Sequence, residues 1–91
     1  MSTISEMPAS QLHALVMRTF SERLKQARIE AGYKTAARFA FAFGVPAPRY
    51  RHWERGKCAP GLRELERLCL VLCVSANYLL PVPGRDGSPS Q

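Results

Sequence analysis

Between residues 10 and 31 the chain contains neither glycine nor proline, and Leu12, Leu15, Val16, Phe20, Leu24 and Ala27 recur every three or four positions. That spacing places them on one side of an α-helix, so one long helix, or two abutting ones, is expected here. Gly32 supplies the stop, because the left-handed conformation that commonly follows a helix carries no steric penalty at glycine. Thr35 then offers a hydroxyl to cap a second helix over residues 36–43, in which Phe39, Ala40 and Phe43 share a side and which Gly44 ends. A third helical segment opens with Pro46 and Pro48, where a missing N–H breaks no intrahelical bond, and closes at Gly56. In a fourth helix, Leu62, Leu65, Leu68, Cys69 and Leu72 have amphipathic spacing, and Ser75 caps a short fifth one that Pro81 cuts off. No strand pattern is present. The expected fold is all-α, with five helices on short connections.

The two ends have a different texture. Residues 81–91 are rich in proline, glycine and serine and carry too little apolar surface to offset their ordering entropy, so this tail is expected to be disordered. The first nine residues look similarly loose.

Composition narrows the class. Ninety-one residues suit one small domain with a modest core, and 13 Lys and Arg against 7 Asp and Glu give a formal charge of +6, which favours a polyanionic partner. No stretch approaches the apolar length of a membrane span, nor does the N-terminus resemble a secretion signal, so a soluble, cytoplasmic protein is expected. The three cysteines, Cys58, Cys69 and Cys73, form no CxxC pair, and with only His13 and His52 beside them no zinc site is expected. Nor is any cofactor. No nucleophile stands beside a base and no phosphate loop is visible, so the chain reads as a non-enzyme.

Charge is concentrated in the middle of the chain. Lys34, Arg38, Arg49, Arg51, Arg55 and Lys57 are opposed there only by Glu54. At roughly 100° per residue, Arg51, His52 and Arg55 fall within about 60° of Pro48 on the third helix, with Tyr50 and Trp53 opposite. One face is basic and the other aromatic. Stacking of Tyr50 and Trp53 on unpaired bases is the alternative to a place in the core; the core is favoured because their side faces the other helices.

A helix, Gly32, a helix with Ala40, Gly44 and Val45, a helix ending Trp53-Glu54-Arg55-Gly56-Lys57, then Pro60, a leucine-rich helix and a final Tyr78-Leu79-Leu80 together resemble the helix-turn-helix domain of the Cro/cI, or Xre-type, repressors. The resemblance runs from Phe20 to Leu80. It implies a five-helix, lambda-repressor-like domain over residues 20–80, preceded by an extension, partly helical, over 1–19 and followed by the tail over 81–91. In that family the second helix crosses the DNA backbone and the third enters the major groove. Carried over by register, residues 47–55 become the recognition helix. Arg51, His52, Arg49, Pro48 and Ala47 are then candidates for reading bases, and Thr35, Ala36, Arg38, Arg55, Gly56 and Lys57 for phosphate contact. The sequence departs from the family where polar residues often open the recognition helix, since Ala47 and Pro48 stand there, and where Gln often opens the second helix, since Ala36 stands there. One residue is also inserted between Gly32 and Thr35. The resemblance further implies an ion pair between Arg28 and Glu54.

The implied function is sequence-specific binding of double-stranded DNA by a transcriptional regulator, a repressor of phage or prophage type acting on an operator in the nucleoid. The alternative is an antitoxin or adaptor that uses the same scaffold to bind a protein partner. A homodimer is expected because one short recognition helix carries little specificity, with Leu12, Leu15 and Val16, next to His13 and Met17, as a candidate arm. Cys69 fits a small buried side chain and Cys58 an exposed loop. Cys73 stands where relatives place a helix-ending glycine, so either it is strained or the helix ends differently.

Overall fold

The computed structural model describes residues 8–80. Five helices follow one another, α1 (Ala9–Glu30), α2 (Ala36–Phe43), α3 (Ala47–Glu54), α4 (Leu62–Leu72) and α5 (Ala76–Leu79), with no strand among the described residues. The described residues are thus all-α, with five helices. No described helix is long and apolar enough to cross a membrane. The expected disorder of residues 81–91 and looseness of residues 1–7 lie outside the described residues. Ala9, expected to be loose, is helical, with Pro8 in the N-cap position.

Helix α1 is a single helix of 22 residues, roughly 33 Å long at about 1.5 Å per residue. It passes unbroken through position 19, where the extension was expected to meet the domain. Its two halves differ in burial. Phe20, Ser21, Leu24, Ala27 and Arg28 are buried on one stripe, whereas Leu12, Leu15 and Val16 are only half-buried.

The core gathers Phe20, Leu24 and Ala27 of α1, Phe39, Ala40 and Phe43 of α2, Tyr50 and Trp53 of α3, Leu68 and Leu72 of α4 and Leu79 of α5. Aromatic rings join α2 to α3: Phe39 lies 5.1 Å from Tyr50 and Phe43 lies 6.3 Å from Trp53, centroid to centroid. Such pairs contribute about 0.5–1.5 kcal/mol each beyond the area they bury. Two arginines tie the later helices to this centre. Arg67 donates to the Phe43 carbonyl at 2.6 Å with its guanidinium 4.2 Å from the Phe43 ring, and Arg23 donates to the Tyr78 carbonyl at 2.8 Å.

Four helices end on the same hydrogen-bonded turn. The N–H of Tyr33, Val45, Lys57 and Val74 reaches back to the carbonyl of Arg28, Ala40, His52 and Cys69, at 2.9–3.1 Å. The residue before each donor is left-handed: Gly32, Gly44, Gly56 and Cys73. At Cys73, with φ 58°, the turn is kept and the side chain carries the strain, which for an L-residue costs about 1–2 kcal/mol. Thr35 and Ser75 cap α2 and α5, each accepting a backbone N–H at 3.1 Å. On α4 the expected apolar stripe is shorter than its spacing implied. Leu68 and Leu72 are buried and Leu65 and Cys69 pack against the core, but Leu62, the first residue of the helix, is 83% exposed.

Candidate nucleic-acid interface

Helix α3 is held from behind. Tyr50 and Trp53 face the core, fully buried, and Glu54 joins them at the edge of that face. Arg28 Nε donates to Glu54 Oε2 at 2.6 Å, and Tyr50 Oη donates to the same oxygen at 2.6 Å. Arg28 Nη1 also donates to the Tyr33 carbonyl at 2.8 Å. The network therefore pins α3 to α1 and to the segment that leads into α2. Burial, and after it the hydrogen bond and charge of Glu54, push the Tyr50 phenol well above its ordinary range, with Arg28 pulling the other way. Tyr50 is thus kept as a neutral donor. No buried side-chain N or O lacks a partner among the described residues.

The opposite face is open. Pro48, Arg51, His52 and Arg55 are exposed, Ala47 is half-buried, and Lys57 follows in an exposed loop. Arg55 is the C-cap of α3, so the helix is one residue shorter than the 47–55 expected. Among the described residues Arg51, His52, Arg55 and Lys57 take part in no ion pair, and their side chains face solvent. Pro46 is the N-cap and Pro48 occupies the first turn. This end of α3 therefore presents carbon, where a helix start with polar side chains would present donors and acceptors.

Arg49 differs from the other four. Its guanidinium donates to Glu64 Oε2 at 2.9 Å and stands 5.8 Å from the Trp53 ring. Glu64 also accepts the Gly61 N–H at 3.0 Å, so one carboxylate caps α4 and holds Arg49. The contact of Glu64 with the Gly61 N–H is one half of a capping box and is local, but the pairing with Arg49 spans two helices and has no local signal.

On α2, Thr35 and Arg38 are exposed at the N-terminal end and Ala36 is half-buried. Phe41, which helical spacing does not place with Phe39 and Phe43, is 88% exposed. The Gly56 backbone lies against α1: a side-chain carbon built there would lie 3.7 Å from the Met17 carbonyl and from Ser21 Oγ. Arg55, Lys57 and Cys58 thus line a cleft whose other wall is α1. Cys58 is exposed, and Cys69 is half-buried with its thiol pushed above the ordinary range by burial.

Residues 19–79 match the sequence profile of the helix-turn-helix domain. Over 61 residues the chain is 39% identical to the SPbeta prophage-derived uncharacterized HTH-type transcriptional regulator YonR of Bacillus subtilis (strain 168), an alignment that covers 67% of this chain and 56% of that protein. The chain thus spans a little over half the length of that relative. No solved structure gives a significant match. With helices α2 and α3 packed through their aromatic faces inside the matched region, the chain belongs to the helix-turn-helix family.

Proposed function

We propose that this protein is a DNA-binding transcriptional regulator of the Cro/cI, or Xre-type, branch, a repressor of phage or prophage type that inserts α3 into the major groove of an operator. The observation that carries the reading is the basic outer face of α3, with Arg51, His52 and Arg55 exposed above a buried aromatic inner face. Arg51 can address guanine O6 and N7 with two hydrogen bonds and His52 a base edge with one. Ala47 and Pro48, lacking polar groups, suit contact with thymine methyls. Thr35, Ala36 and Arg38 at the start of α2, and Arg55, Gly56 and Lys57 after α3, flank phosphates. Arg49, tied to Glu64, contributes charge from the flank. The prophage derivation of the matched regulator supports the same assignment.

Two copies on half-sites one turn of B-DNA apart, about 34–36 Å, would double the reading surface. Apolar side chains outside the core, Leu12, Leu15 and Val16 on α1 and Leu62, Leu70 and Val71 on α4, supply surfaces for such pairing, or for the protein partner of an antitoxin or adaptor. Sedimentation of the free chain and of its DNA complex separates these cases.

Selecting bound sequences from a random duplex pool, then titrating variants against the selected and a scrambled duplex, tests the assignment. Arg51→Ala is expected to cost about 1–3 kcal/mol on the selected duplex and much less on the scrambled one. Lys57→Ala is expected to weaken both alike and to lower the salt slope by about one. Equal losses on both duplexes for Arg51→Ala would remove this arginine from base reading.

A further inference from the structure

The cleft between α1 and the loop that follows α3 has a volume of about 450 Å3. Met17 and Ser21 of α1 and Gly56 of the loop line it between the two walls. Basic groups stand on both walls: His13 and Arg18 from α1, Arg55 and Lys57 from the loop side. Among the described residues no acidic side chain lines it. Arg18 and Lys57 are exposed, and neither is engaged in an ion pair among the described residues. Arg18, Arg55 and Lys57, brought together with His13 from two segments distant in sequence and with no acidic side chain among the described lining residues, make surroundings that favour an anion. Ser21 Oγ is not one of its donors, because it donates to the Arg18 carbonyl at 2.9 Å.

Arg55 belongs both to this cleft and to the basic outer face of α3. The two surfaces are therefore continuous. An α-helix with its side chains, roughly 10–12 Å across, fills a major groove about 12 Å wide. Whatever leaves the end of α3 then lies beside a sugar–phosphate strand. We infer that the cleft is a second backbone site, in which His13 and Arg18 of the α1 extension join Arg55 and Lys57 around a phosphodiester of the bound duplex. The inference rests on the DNA-binding reading above. It gives the first half of α1, largely outside the core, a part in anchoring the protein on DNA whatever the base sequence.

The test uses the full chain with a duplex of scrambled sequence, measured over a salt series, after circular dichroism has established that each variant is folded. Arg18→Gln is expected to lower the slope of log K against log salt by roughly 0.9, the value for one phosphate contact in B-DNA. A rise from about 50 to 200 mM salt would then weaken the variant by a factor roughly 3.5 smaller than it weakens the wild type. His13→Gln is expected to act in the same direction with a smaller change. Lys25→Gln, the same loss of charge at an exposed α1 position outside the cleft, is expected to leave the slope unchanged. Equal slope changes for Arg18→Gln and Lys25→Gln, or none for Arg18→Gln while Lys57→Ala still lowers it, would overturn the inference and leave the DNA-binding reading standing. Failure of the wild type to bind any duplex would overturn both. Inorganic phosphate is the second probe: saturable amide shifts at Arg18 and Lys57, lost in Arg18→Gln without a change of slope on duplex, would assign the cleft to a free anion and overturn the inference.

Discussion

Helix α3 is tied to its neighbours by two arginine–glutamate pairs of similar length and different surroundings. Arg28 and Glu54 meet at 2.6 Å with side chains 5% and 11% exposed, and Arg49 and Glu64 meet at 2.9 Å with side chains 52% and 24% exposed. In the inner pair both charges have been taken from water, and each has a further partner: the Tyr33 carbonyl for Arg28 and the Tyr50 hydroxyl for Glu54. Removing one member leaves the other charged in a low-dielectric place. The outer pair keeps its contact with solvent, which screens the attraction and replaces either partner when it is lost. Distance alone would have ranked the two as near equals; burial separates them.

Three variants sharpen that contrast. Arg28→Ala is expected to cost about 3–5 kcal/mol in urea or thermal denaturation, a large share of the stability of a domain this small. Stability unchanged in this variant would break the comparison at its strong end. Tyr50→Phe, which deletes the hydroxyl that Glu54 accepts, is expected to cost about 1.5–3 kcal/mol, as for other hydrogen bonds to charged groups. Its dependence on pH has a definite sign. The folded state raises the phenol above its unfolded value of about 10, so the stability due to keeping it neutral is complete below about pH 10 and is lost as the pH rises beyond it. The phenylalanine variant has no such group, and the gap between the two proteins should narrow above pH 10. Arg49→Ala is expected to cost less than about 1 kcal/mol, and less again at high salt. A cost above 2 kcal/mol would mean that the contact over Trp53 outweighs the exposure of the pair.

What the sequence revealed of the fold was local. The stops at Gly32, Gly44 and Gly56 and the caps at Thr35 and Ser75 are decided within four or five residues of backbone, so their chemistry is written beside the position where it acts. The side of α3 that carries Tyr50 and Trp53 was legible too, since helical phase separates it from Arg51, His52 and Arg55. The Arg28–Glu54 contact had no local signal and came from family resemblance. The exposure of Leu62 could not be read from its spacing, because periodicity gives the side of a helix and not how far along it the core extends. Arg49 with Glu64, Arg67 with Phe43, and the cleft shared by Arg18 and Lys57 join segments distant in sequence. None could be read before the helices were placed.

The prolines around the start of α3 have a consequence for the thermodynamics of binding. Pro46 and Pro48 restrict the backbone before any partner arrives, and the rings behind α3 fix its orientation. The end of α3 that would enter the groove in the proposed complex is thus ordered in the free protein, and its association with DNA would include no helix formation. For this element, the heat-capacity change on binding should report buried contact area and released solvent, without the large contribution that accompanies a segment folding on its target.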